Sequence, residues 1–500
     1  MKKALVFLLI FTIGSVLFAQ QKYKVVDGVL VINDDYNTLP DGLELEIVDG
    51  RSITITGYTG DATTLNIPAQ IKDLPVTEIG EGAFTGCESL TSVTIPSSVT
   101  VIGDRAFAGC ESLTSVTIPS SVTAIGEGAF SDCSSLTNIA VDSRNPAYTS
   151  INGVLFDKSI RTIITYPVGK TARTYTIPSS VTEIGDSAFG ACSNLTSVTI
   201  PSSVTYIGEG AFYGCSSLTS VTIPSSVTII DWGAFSDCSS LTSVTIPSSV
   251  TSIGESAFSS CSSLTSITIP SSVTSIGAVA FADCSSLTNI TVDSRNPAYA
   301  SIDGVLFDKR IRTLISYPVG KTARTYTIPS SVTEIGNGAF YGCSSLTSVT
   351  IPSSVTAIGA VAFADCSNLT SVTIPSSVTY IGEVAFRDCS SLTSITVDNR
   401  NSEYASIEGV LFDKNIRTII SYPVGKTART YAIPSSVTAI GDSAFGACSN
   451  LTSVTIPSSV TEIGGYAFNE CSSLTNVTLS RRTQVGENAF PESARITYRD

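Results

Sequence analysis

The chain has 500 residues, a formal charge of −14, thirteen cysteines, one tryptophan and no histidine. The missing imidazole excludes Ser-His-Asp and Cys-His catalysis and removes the commonest metal ligand. A pI near 4.6 argues against a nucleic-acid partner.

At the start, Lys2 and Lys3 precede an apolar run over residues 4–18 that ends at Ala19. This is a secretory signal layout, and the run is shorter than a membrane span requires. Residues 1–19 are expected to be removed on export, leaving a mature chain with no membrane span. Within residues 20–64, residues 25–32 and Leu43–Val48 read as strands, with turns at Asp27-Gly28 and Asp49-Gly50. An N-terminal β cap is expected there, because the first coil of a stack needs its open face covered.

From residue 65 to 479 a 23-residue unit recurs. Residues 197–219 give it cleanly as SVTIPSSVTYIGEGAFYGCSSLT, the string IPSSV occurs twelve times, and every cysteine holds the same place. A fixed period of this size means stacked coils. Val198 and Ile200 alternate with Ser197 and Thr199, which is strand periodicity. Pro201 donates no ladder hydrogen bond and ends the strand. Gly208 forms a corner. Ala211, Phe212, Cys215 and Leu218 then recur at helical spacing and predict a short helical turn. One unit offers a row of inward apolar residues that only its neighbours can bury.

The spacing Leu195-x-x-Val198-x-Ile200 matches the first half of the leucine-rich repeat pattern. The second half departs: Ser203 stands where a ladder Asn or Cys belongs, and Val204 and Ile207 follow. In the form LTSVTIPSSVTxIGxxAFxxCSSLT the unit closely resembles the BspA-like leucine-rich repeats of bacterial surface antigens, over about residues 53–490. The fold this implies is an α/β repeat: a right-handed leucine-rich-repeat solenoid with one strand and one short helical turn per coil, closed by β-rich caps. The C-terminal cap falls at 480–500, where Pro491 stops the last turn. The resemblance also implies a function. It is adhesion to host extracellular matrix, to host cell-surface proteins or glycans, or to other bacterial cells, from a secreted or cell-surface position, with the periplasm as the alternative address. The rival reading is a structural or spacer solenoid of the envelope without a specific ligand. The monotonous hydroxyl face, as in Ser220/Thr222 and Ser243/Thr245, favours that rival.

Three times the cysteine spacing rises from 23 to 59 residues, marking variant inserts at about 142–178, 293–329 and 398–434. Strand-like runs at 154–156, 163–166 and 175–177 suggest that each insert continues the stack as one long coil and one short one. The inserts hold 16 of the 28 Lys and Arg residues. Lys170/Arg173, Lys321/Arg324 and Lys426/Arg429 recur at matching places and are candidate contacts for an acidic, repetitive partner.

Chemistry is otherwise sparse. Gly169-Lys170-Thr171 has the ending of a phosphate loop, but Ile164 occupies the position where that loop needs its first glycine. Gly185-Asp186-Ser187 lies inside the repeat with no base available. No enzyme activity and no cofactor are expected. No Cys-x-x-Cys occurs, and pairing neighbouring cysteines leaves three of the four runs with one over, so a stack of unpaired core thiols is expected. Aromatic residues appear where the repeat varies: Tyr206, Tyr213 and Trp232 are candidate partner contacts, and Asp231 replaces the corner glycine beside Trp232.

Overall fold

A computed structural model describes residues 42–499 and, as strand pairing alone, Tyr23–Val26 and Val29–Ile32. The expected signal segment at 1–19 and the Asp27-Gly28 turn lie outside the described residues. Two compact units divide the chain: residues 1–171 with 185–192, and residues 172–184 with 193–500. Each is a β-solenoid of stacked coils, and among the described residues there is no helix.

The second unit contains the cleanest coils. Ser197–Thr199 pairs in parallel with Ser220–Thr222, which pairs in parallel with Ser243–Thr245. A second parallel ladder runs from Glu183–Ile184 through Tyr206–Ile207 and Ile229–Ile230 to Ser252–Ile253. Alternation sorts the side chains as the sequence predicts: Val198, Val221 and Val244 are buried while Thr199, Thr222 and Thr245 are exposed. Val204, Ile207, Ala211, Phe212, Cys215 and Leu218 complete the buried set of one coil. Each large apolar side chain so buried contributes about 1.5–3 kcal/mol before ordering entropy is subtracted.

The helical turn expected over the Ala-Phe segment is replaced by a chain of tight turns. Ala211, Tyr213 and Cys215 donate their N–H groups three residues back, to Gly208, Gly210 and Phe212, at 3.2, 2.8 and 3.2 Å. The residues between them, Gly210, Phe212 and Gly214, donate instead to Trp232, Ala234 and Ser236 of the next coil, each at 2.8 Å. Every second amide thus points along the stack, which a helix does not permit. The geometry needs two left-handed residues per turn, here Gly210 at φ 54° and Gly214 at φ 67°. An apolar spacing of three and four is common to a helix and to successive turns, so the sequence pattern alone does not separate them.

The first unit opens with antiparallel strands. Tyr23–Val26 pairs antiparallel with Val29–Ile32. Leu43–Val48 turns back on Ser52–Tyr58 through Asp49 and Gly50, both at positive φ. Ser52–Tyr58 then pairs in parallel with Leu74–Ile79, and the stack begins. Inside it Phe84, Phe107 and Phe130 lie ring on ring, with centroids 5.0 and 5.6 Å apart.

The inserts depart from their expected form. In the second insert Tyr299–Ile302 and Val305–Asp308 form an antiparallel hairpin, and Val305–Asp308 is also antiparallel to Thr313–Ser316. The chain rejoins the parallel ladder only when Thr313–Ser316 meets Glu334–Ile335. A short extra coil is therefore the wrong description. The cause is a two-residue turn, Asp303-Gly304, with φ of 49° and 78°, the geometry that closes a hairpin between twisted strands. Asn152-Gly153 does the same in the first insert and Glu408-Gly409 in the third. Tyr317 then takes the place of the stacked phenylalanine. It donates its N–H to Ala339 at 2.7 Å, and its ring centroid lies 5.3 Å from that of Phe340. Asn296 is 1 % exposed, and its amide is fully used: Nδ2 donates to Pro270 and Val273 carbonyls, and Oδ1 accepts from Ala298 and Tyr299 N–H.

Candidate partner-binding surface

Among the described residues no three His, Cys, Asp or Glu side chains are grouped to hold a metal ion. The thiols serve the stack. The thirteen cysteines are thiols, and all but Cys87 are buried. They donate along the column, as where Cys238, Cys261 and Cys284 reach the carbonyls of Phe212, Phe235 and Phe258 one coil back, at 3.2, 3.2 and 3.0 Å. Burial pushes the Cys389 thiol up to about 12 and Cys238 well above its ordinary value. Thiols so held are not nucleophiles.

At the second and third inserts, where a Tyr-Pro step replaces the Ala-Phe turn, a recess opens at the coil edge. The one at the second insert has a volume of about 180 Å³ and is lined by Val279, Phe281, Ile315, Ser316, Asn337 and Gly338 among others.

The basic candidates fall into two kinds. The arginines at Arg173, Arg324 and Arg429 are exposed, and their carbonyls accept from Thr196, Thr347 and Thr452 at 2.7, 2.7 and 2.8 Å. The ladder fixes their backbone and leaves the side chains toward solvent. The lysines are half-buried. Lys170 donates Nζ to the Asn152 carbonyl at 2.7 Å, and burial lowers its pKa. The Lys426 ammonium lies 5.9 Å from the Tyr422 ring centroid. Three further insert arginines are committed locally. Arg144 grips Asp142 through two side-chain hydrogen bonds at 3.1 and 2.8 Å, which hold that carboxyl down at about 2. Arg295–Asp293 and Arg400–Asp398 repeat the grip.

The aromatic candidates occupy two successive coils of the second unit. Tyr213 and Trp232 are 49 % and 50 % exposed. Tyr206 is half-buried, and its hydroxyl donates to Asp231 Oδ2 at 2.7 Å. Asp231 Oδ1 accepts the Trp232 N–H at 2.8 Å. Sequence reading finds these four residues but not Ile229, which is 39 % exposed; an isoleucine beside the corner passes for one more core residue. It also misses the buried asparagines 145, 296 and 401, whose only signal is their place before a Pro-Ala-Tyr or Ser-Glu-Tyr step.

A family described as BspA type leucine rich repeat region (6 copies) matches residues 58–174, 168–288, 320–424 and 425–499. Among solved structures, a leucine rich cell surface protein from Faecalibacterium prausnitzii is 31% identical over 92% of this chain and 97% of that one, with a TM-score of 0.44. A leucine-rich repeat protein from Bacteroides ovatus is 26% identical over 93% of this chain and 100% of that one, with a TM-score of 0.40. A leucine-rich repeat protein from T. pallidum is 30% identical, covering 46% of this chain and 91% of that one, with a TM-score of 0.29. Among curated proteins, none matches this chain.

Proposed function

The chain belongs to the BspA-type leucine-rich repeat family, and we propose that it is an exported, non-catalytic binding surface for host matrix, host cells or other bacteria. Residues 1–19 direct export in this reading, and residues 20–64 and 480–500 act as caps. The observation that carries the reading is the threefold recurrence of Arg173, Arg324 and Arg429, each exposed and each held by the same backbone hydrogen bond. Three matching cationic contacts suit a repetitive acidic partner such as a matrix protein or a sulfated glycan. Weak contacts that engage together multiply affinity by roughly 10²–10⁴.

The second reading is a spacer of the envelope with no ligand. The exposed rows of small hydroxyls favour it, since they offer none of the aromatic or arginine anchors typical of hot spots.

The experiment is attachment of the mature protein to immobilised matrix and to intact cells. A variant in which Lys170, Arg173, Lys321, Arg324, Lys426 and Arg429 are all Ser serves as the comparison. The proposal expects saturable attachment, weakened at least tenfold in the variant, with a loss that shrinks as salt screens the charges. No saturable attachment by the parent protein selects the spacer. A folded variant that attaches like the parent removes the inserts from the contact.

A further inference from the structure

We propose that the surface formed by Tyr206, Tyr213, Ile229 and Trp232 docks a Lys/Arg-rich polypeptide segment, with a cationic side chain seated over the Trp232 ring. This site is distinct from the insert arginines and takes a partner of opposite charge.

The first ground is that stacking does not call for these residues. The register shows what the same positions hold one coil away. Gly210 donates to the carbonyl of Trp232 and Gly233 to that of Glu255, so Glu209, Trp232 and Glu255 occupy one row. Ser252 pairs with Ile229 across the ladder. Gly214 donates to Ser236, which places Ser236 in the row of Tyr213. Neighbouring coils thus fold with Glu or Ser where this surface has Trp, Ile and Tyr. Exposed at 50 %, 39 % and 49 %, those three side chains leave much of their apolar area to water. Large side chains that the fold does not need, grouped in two adjacent coils, mark an interaction surface.

The second ground is that the surface is held in place. Asp231 breaks the corner glycine that the neighbouring coils keep as Gly208 and Gly254. Its carboxylate accepts from both the Tyr206 hydroxyl and the Trp232 N–H. One residue therefore fixes the phenol and the backbone that carries the indole.

The third ground is charge. Between Arg173 and Arg295 the sequence has no Lys, Arg or His, against eight acidic residues. Exposed Glu209 and Glu255 stand one coil to either side of Trp232. An aromatic face attracts cations through its quadrupole, and carboxylates alongside add to that attraction. Anionic ligands are repelled here. A second copy of the chain, itself at −14, is disfavoured by its net charge.

Trp232 is the only tryptophan, so tryptophan emission, excited selectively at the red edge where the 18 tyrosines do not absorb, reports on this site alone. The probe is a short synthetic peptide of repeating Arg, Lys and Gly; a Glu-containing counterpart and a neutral maltose oligomer are the controls. The expected result is a saturable fluorescence change with the basic peptide only, weakened by salt. Anisotropy of labelled peptide should then show at least tenfold weaker binding for Trp232→Ala and for Glu209→Gln with Glu255→Gln. The six-Ser insert variant should bind as the parent does, which separates this site from the adhesion reading. Four results overturn the proposal. One is no fluorescence change with the basic peptide. Another is a saturable response to the maltose oligomer or the Glu peptide. A third is the same spectral change on self-association without peptide. The last is an equal loss from substituting an acid several coils away in the same unit, as in Glu383→Gln, which marks unspecific attraction.

Discussion

Two left-handed positions in each turn segment that ends in Cys set the local cost of this fold. Coils differ in how they fill them. Gly210 and Gly233 adopt φ of 54° and 56° freely, whereas Val279, Val361 and Val384 are held at 49°, 48° and 46°. A β-branched residue there is strained by roughly 1–2 kcal/mol. Glycine relieves that strain but loses about 0.4–1 kcal/mol through its freer unfolded chain. Val384→Gly should therefore stabilise by about 0.5–1 kcal/mol, seen as a higher denaturant midpoint. The reverse change, Gly233→Val, should cost about 0.5–1 kcal/mol by the same balance, although its Cβ has open space, with Ser236 Cβ no nearer than 3.9 Å. A loss from Val384→Gly would mean that the stack, not the residue, pays for the turn.

Coils rather than residues are the unit that folds. Phe212 stacks on Phe235 at 5.2 Å with rings 3° from parallel, and Phe235 on Phe258 at 5.5 Å. Phe212→Ala should cost about 3–5 kcal/mol at its own coil. Because each coil touches only its neighbours, that loss should split the unfolding transition. Thr222→Ala, on the exposed strand face, should leave the transition whole. Equal effects from the two would invalidate the inside–outside assignment. Much of this was legible beforehand. The 23-residue period, the Val198/Ile200 alternation and the stacked cysteines are each visible in the string itself. The turn segment was not, because the spacing of Ala211, Phe212 and Cys215 suits a helix equally, and the deciding hydrogen bonds go to the next coil. The insert hairpins also carry a signal in the sequence: Asn152-Gly153 and Asp303-Gly304 between β-favouring runs are strong turn signals. The regular period on either side points instead to continued coils.

At the scale of the whole molecule, charge is segregated along the sequence. The inserts hold 16 of 28 cationic residues, and the stretch from 174 to 294 holds none. The candidate residues were legible as departures from the repeat, yet their roles were not. Only the structure separates Arg173, exposed, from Lys170, which spends its ammonium on the Asn152 carbonyl. In the proposed reading the chain works outside the cell that makes it. The most direct test is protease shaving of intact producing cells, with the released peptides identified by mass spectrometry. Trypsin finds no site between Arg173 and Arg295, so a protease of broad specificity is required. The account predicts release of peptides from residues 20–500 while the cells remain sealed and cytoplasmic markers stay inside. Peptides that appear only after lysis, with an intact Met1 at the N-terminus, would contradict it.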